Sequence, residues 1–289
     1  MHTLKILGSA DASGAPNPFC NCAWCERARH LGGKHVRTRA GARLDDLLHF
    51  DLAPDLLKQA LDNKLCLADL EHIFITHYHA DHFAVGEMEL MLMAKVDRRA
   101  NPLNVYLSKD AHAEFLLSPF WRYGELNQMI DKGMLKIHIF DPEMGVKLPG
   151  YHLKAIFGNH KGSGISGRAL NYLATGDDKK VLLYATDTGA YHEEQFEALS
   201  GIYLSALVLE CTFTDDRDVP MGGHHDIPNF IRTLESFKAL GNIDEKTKVV
   251  MTHIGHHHLK YDHDTLAQRI NELAPMPVTV GYDGLDVTY

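Results

Sequence analysis

His77-Tyr78-His79-Ala80-Asp81-His82, the stretch HYHADH, sets three histidines and an aspartate in six residues behind HIFIT, a short apolar run that reads as a buried strand. Polar groups at the end of a core element are costly unless something satisfies them. A tight loop after a strand turns alternate residues toward one cavity, and imidazole nitrogens with carboxylate oxygens suit Zn²⁺, Mn²⁺ or Fe²⁺. Four ligands so close together allow two neighbouring metals, His77 with His79 on one and Asp81 with His82 on the other. The bland alternative is a solvated His-rich turn, which leaves the density of ligands behind a buried strand unexplained.

The rest of the chain is consistent with a metalloprotein. Its 289 residues fit one large α/β domain over 1–289 better than two small ones. The formal charge of −9 disfavours tight binding to extended nucleic acid, where basic residues must neutralise phosphates. No apolar run approaches the roughly 20 residues that span a bilayer, so no membrane association is expected. MHTLKILGSA is too short and weakly apolar for a signal peptide, which makes a cytoplasmic location the expectation. Histidine is abundant, at 20 residues, and three of the five cysteines, Cys20, Cys22 and Cys25, fall in CNCAWC. In an intracellular chain that clustering suggests metal more than disulfide.

LKILGSA predicts an opening strand, ARLDDLLHFDLAPDLL a second strand ending near Asp51 and then a helix from Pro54, and LEHIFIT a third strand. A helix is expected after the His-rich loop and another over about 109–121. Later strands are predicted at LKIHIF, at YHLKAIFGNH ending in His160, at ALNYLAT and KKVLLYATDTG as a hairpin, at SALVLECTF and at KVVMTHIG, with an amphipathic helix PNFIRTLESFKALG between the last two. This mixture predicts two sheets packed together with helices outside. Asp51, His77, His160, Asp187 and His253 all lie at strand C-terminal ends, which commonly converge on one edge of a layered fold.

The HxHxDH pattern resembles the signature of the metallo-β-lactamase fold superfamily of dinuclear metallohydrolases. The resemblance implies a four-layer αββα fold, two mixed sheets sandwiched between helices. It also implies further ligands downstream, and FGNHKGSG, YATDTG and MTHIGH offer His160, Asp187 and His253 in the right order. The implied first site is His77, His79 and His160; the second is Asp81, His82 and His253, with Asp187 bridging. Asp51 matches an aspartate that supports the ligands from behind. Two divalent transition metals, Mn or Zn or Fe, are implied in the active site.

Thiolates spaced as Cys20, Cys22 and Cys25 can wrap one tetrahedral Zn²⁺, but a closed site needs a fourth ligand. His256 is the expected one, with His257 and His258 as rivals. If His253 faces the active site, His256 can face the other way. This combination resembles the carbon–phosphorus lyase accessory phosphodiesterases (PhnP type), whose C-x-C-x2-C loop and T-H-I-x-H segment supply a structural zinc; here the loop spans about 16–26. The resemblance runs from LGSADASGAP through GYDG and is poorest over about 91–150. It implies a phosphodiesterase that hydrolyses small cyclic or strained diesters, such as a ribosyl 1,2-cyclic phosphate or a 2′,3′-cyclic nucleotide, by a metal-bridging hydroxide. Asp81 and His224 are the expected catalytic residues, His224 aligning better than His225 with a histidine that protonates the leaving oxygen. Lys161 and Arg168 are candidate phosphate contacts, and a homodimer is expected.

Three other readings share parts of the pattern. A glyoxalase II-like thioesterase should not need the cysteine loop, and a tRNA 3′-processing ribonuclease should have a basic surface. A non-catalytic protein of the pyrroloquinoline-quinone biosynthesis type has a similar cysteine loop but a degraded metal motif. The intact HYHADH argues against the last.

Overall fold

A computed structural model describes residues 1–94, 101–142, 144–161, 167–215, 217–218, 223–256 and 260–289. The first half of the chain contributes β1 (Thr3–Gly8), α1 (Ala23–Leu31), β2 (Gly41–Leu44), β3 (Leu48–Phe50), α2 (Leu56–Asp62), β4 (His72–Phe74), β5 (Leu103–Leu107), α3 (Lys109–Phe115), α4 (Pro119–Tyr123), α5 (Leu126–Asp131) and β6 (Leu135–Ile139). The second half contributes β7 (Gly145–Leu148), β8 (Tyr151–Lys161), β9 (Arg168–Gly176), β10 (Val181–Ala185), α6 (Glu193–Ala198), β11 (Ala206–Glu210), α7 (Ile227–Ala239), β12 (Lys248–Thr252), α8 (His263–Leu273), β13 (Val278–Val280) and β14 (Asp286–Thr288).

These strands form two seven-stranded sheets, in the orders β14-β1-β2-β3-β4-β5-β6 and β13-β12-β11-β10-β9-β8-β7. Both are mixed in the same way. Pairings from β14 through β3 and from β7 through β10 are antiparallel. Those from β3 through β6 and from β10 through β13 are parallel.

Alternation along the strands explains the layers, because successive side chains face opposite sides of a sheet. Leu48, Phe50 and Phe74 point into an inter-sheet core with Leu153, Tyr172, Tyr184 and Val208. On the outer face of the first sheet, Ile73, Ile75 and Val105 pack against Phe115, Leu126 and Met129 of α3 and α5. The outer face of the second sheet, with Leu183, Leu207 and Val249, is covered by Phe230, Leu234 and Phe237 of α7 and by Leu266 and Ile270 of α8. The arrangement is the expected αββα fold.

Two local expectations are corrected and a third is made more specific. The single strand predicted up to Asp51 is a hairpin, β2 and β3, which turns at Asp45 with φ +46°. The helix expected over 109–121 is two, because Ser118 caps a new start and Pro119 takes its first turn. The helix expected after the His-rich loop is present over Val85–Met93 and is of the 3₁₀ type. Its period of three aligns Val85, Met88 and Met91 on one face, against the outer core of the first sheet.

Candidate metal centre

Parallel strands bring their C-terminal ends to one edge, and β3, β4, β10, β11 and β12 end here beside the end of β8. Asp51, Asp187 and His253 follow their strands with φ of +63°, +48° and +56°. Non-glycine residues avoid this left-handed region, although aspartate and histidine tolerate it better than most. Three such residues around one cavity mark strain held in place by the surrounding packing.

The seven expected ligands converge. His77, His79 and His160 bring one ligand atom each within 4.8 Å of one another, and so do Asp81, His82 and His253. Asp187 stands between the groups: its Oδ2 lies 2.5 Å from His82 Nε2 and 3.0 Å from His253 Nε2, and its Oδ1 is 4.0 Å from His160 Nε2. Asp81 Oδ2 lies 3.1 Å from His82 Nε2.

Groups behind the histidines fix which nitrogen faces inward. Asp51 accepts from Thr76 N and Thr76 Oγ1 through Oδ1, and its Oδ2 lies 2.7 Å from His82 Nδ1. Thr76 Oγ1 spends its proton on Asp51 and therefore accepts from His77 Nδ1, at 3.1 Å. The Gly223 carbonyl accepts from His160 Nδ1 at 3.0 Å. Thr212 Oγ1 donates to Glu210 and so accepts from His253 Nδ1 at 2.8 Å. With Nδ1 thus engaged, the Nε2 atoms of His82, His160 and His253 are buried and crowd toward Asp187 without a well-directed hydrogen bond, and Asp187 Oδ2 likewise lacks one. Buried polar atoms are rarely left so, and imidazoles held from behind with their other nitrogen free are what metal ligation requires. The donor set of nitrogens and carboxylate oxygens fits two divalent transition ions.

Electrostatics agree. Burial alone would keep His82 neutral, but Asp187, Asp81 and Asp51 raise its pKa well above the ordinary value. Burial would also raise the Asp187 pKa, yet His253 and His82 hold it well below the carboxylate range. The carboxylate side of the cavity therefore favours positive charge on His82 and His253, whereas burial holds His77, His79 and His160 below the ordinary imidazole value.

His224 and His225 part company. His225 is fully buried, and its Nε2 lies 3.0 Å from Thr233 Oγ1 on α7. His224 turns to the metal cluster, with Nδ1 3.6 Å from Asp187 Oδ1 and its ring 4.6 Å from that of His160. Asp226 caps α7 by accepting from Asn229 N.

Sequence reasoning missed Glu210, the last residue of β11. Its buried carboxylate accepts from Thr212 N, Thr212 Oγ1 and His225 N, and Oε1 lies 3.3 Å from His224 Nδ1. Burial lowers the His224 pKa, but Glu210 and then Asp187 outweigh it and the net shift is upward. Glu210 thus positions His224 and favours its protonated form. The available signal was a carboxylate at the end of a wholly apolar strand, the same signal that marked Asp187.

Arg168 is held by Glu194 at 2.5 Å, bonds the Gly158 carbonyl and lies over the Phe157 ring. Lys161, its cross-strand partner, is exposed one residue beyond His160.

The cysteine loop forms a second cluster. Cys20, Cys25 and His256 bring ligand atoms within 4.8 Å of one another, and Cys22 opens the helix that carries Cys25. Half of the loop is the start of α1, which Cys22 caps by accepting from Cys25 N. The segment after β12 crosses the N-terminal loop at the Ala10–Ile254 bridge, so His253 and His256 serve opposite sides. His257 and His258 lie outside the described residues. Three thiols and an imidazole fit one tetrahedral Zn²⁺. Burial pushes the Cys25 thiol up to about 12, so it would ionise only with a cation bound. Cys25→Ser is expected to lower bound zinc by about one equivalent and to reduce the melting temperature while hydrolysis persists. Metal analysis and calorimetry check this, and an unchanged zinc content would refute it.

With this geometry in place, the relatives are informative. The beta-lactamase superfamily domain matches residues 48–254, and the chain belongs to that family. It is 31% identical over 119 residues to Ribonuclease Z of Thermococcus onnurineus, a match covering 38% of each protein. Curated relatives of this kind are matched over only 22% to 38% of their length. A diphosphatase of the PhnP family superposes with a TM-score of 0.70 at 20% identity, over 99% of this chain and 96% of that one. Zinc-bound PqqB from Methylobacterium extorquens gives 0.71 at 19% identity, over 100% of both chains. At such identities these structures speak for the fold. Among the described residues no helix is long and apolar enough to cross a membrane.

Proposed function

We propose that the chain is a dinuclear metal-dependent phosphodiesterase acting on small cyclic or strained diesters of the ribosyl 1,2-cyclic phosphate or 2′,3′-cyclic nucleotide kind. One observation carries this reading: His224 is held between Glu210 and Asp187, beside the converging metal ligands. Manganese, zinc or iron bound there would lower the pKa of water and offset negative charge on a phosphoryl oxygen. His77, His79 and His160 would hold one ion, Asp81, His82 and His253 the other, and Asp187 both.

His224 distinguishes the reactions open to such a site. An alkoxide leaves poorly unless it is protonated as its bond breaks, so an acid fixed at this point serves an oxygen ester. A thiolate leaves readily without one, which weakens the thioesterase reading. The complete ligand set speaks against a non-catalytic role. A small diester rather than extended nucleic acid as ligand, a homodimeric assembly and a cytoplasmic site of action belong to the same reading.

The test is a substrate panel with Mn²⁺, Zn²⁺ and Fe²⁺ in turn: bis(p-nitrophenyl) phosphate, a 2′,3′-cyclic nucleotide, a ribose cyclic phosphate and a glutathione thioester. Diesters should be hydrolysed and the thioester left intact; the reverse pattern would sink the proposal. Similarity to Ribonuclease Z favours tRNA processing as a second reading, against which the net charge of −9 stands. A salt-sensitive gel shift with tRNA would revive it.

A further inference from the structure

HYHADH has two sides. His77, His79, Asp81 and His82 supply one, whereas Tyr78 and Ala80 between them line a separate open cleft of 750 Å³. Its walls are aromatic and acidic: Tyr78, Phe83 and Phe120 with Glu87 and Glu114. The Tyr78 and Phe83 rings meet edge to face at 5.6 Å. Gly86 lets Phe120 lie close, since a Cβ there would stand 2.8 Å from that ring.

The two carboxylates lack counterions among the described residues. Glu114 Oε1 is buried with no hydrogen-bond partner, and neither Glu87 nor Glu114 forms an ion pair with a described lysine, arginine or histidine. A buried acceptor without a donor is costly, and it points to a ligand that supplies the missing charge. Aromatic faces attract cations through the ring quadrupole, most strongly when the cation sheds water. A simple anionic diester has no group that could answer these two carboxylates.

We propose that this cleft receives an organic ammonium group, and that a diester carrying one is turned over in preference to its simple anionic counterpart at the metal centre. The second part rests on the phosphodiesterase reading; the first does not. The preferred diester is then zwitterionic, its phosphate facing His160, Asp187 and His253 while its ammonium passes over exposed Ala80 toward Glu114 and Phe120.

The test compares two esters of one shape on the metal-loaded full chain, zwitterionic p-nitrophenyl phosphocholine and p-nitrophenyl 3,3-dimethylbutyl phosphate, an anion that lacks the ammonium. The zwitterionic ester should be favoured about tenfold in kcat/KM, and Glu114→Gln should cut that ratio to about twofold. A ratio taken within one variant cancels any general loss of activity. Tetramethylammonium binding, measured by calorimetry, reads the cleft without turnover and should saturate in the wild type and weaken about tenfold in Glu114→Gln. If neither ester is hydrolysed, the phosphodiesterase reading fails, and saturable tetramethylammonium binding still supports the cleft. Equal rates on both esters, or no saturable binding, overturn the proposal.

Discussion

Asp187→Asn is expected to lower diester hydrolysis by about 10³-fold or more, with loss of bound active-site metal. The size follows from position. One buried carboxylate lies within 3.0 Å of the inward nitrogens of both His82 and His253, and its other oxygen faces His160. Without its charge, Asp51 and Asp81 are the remaining carboxylates around His82, and Asp51 is committed to Thr76 and the outer nitrogen of His82. Asparagine is preferable to alanine because φ at this residue is +48°, a conformation asparagine adopts without much strain. The isosteric side chain therefore separates loss of charge from backbone distortion. Metal content by mass spectrometry under native conditions, with steady-state rates on bis(p-nitrophenyl) phosphate, checks the expectation. Full activity in the variant would refute the bridging role.

The legible part of this site was the part written at strand ends. HYHADH, His160, Asp187 and His253 could be found because an apolar run followed by ligand-type residues is a local pattern. Two packed sheets with helices outside could be read from the mixture of strand-like and helical runs, and the αββα order from the resemblance to the metallo-β-lactamase fold. Contacts that depend on chain segments remote from one another were not legible. Thr212 takes its place behind His253 only because β11 and β12 run side by side, and the Gly223 carbonyl meets His160 across 63 residues. The helix over Val85–Met93 was legible from EMELMLM, but its 3₁₀ type was not, since a period of three shows only once Val85, Met88 and Met91 meet the outer core. Glu210 is different again. It stood in plain view at the end of ALVLE, but a carboxylate that binds no metal has no spacing to announce it.

His224→Ala is expected to slow hydrolysis of a 2′,3′-cyclic nucleotide by about 10²- to 10⁴-fold, the usual worth of a positioned general acid. Hydrolysis of bis(p-nitrophenyl) phosphate should fall far less, because p-nitrophenolate departs without a proton. This contrast controls for collateral damage. His224 stands 3.6 Å from Asp187, and a disturbed metal site would slow both substrates alike. Glu210→Gln should reproduce the pattern more weakly, since the amide keeps the shape beside His224 Nδ1 but not the charge that favours its proton. Its effect on the cyclic nucleotide should appear in kcat rather than in KM, for Glu210 is buried and meets His224 rather than the ligand. Equal losses on both substrates in His224→Ala would remove the acid role. An unchanged rate on the cyclic nucleotide would leave the Glu210–His224 pair as packing alone.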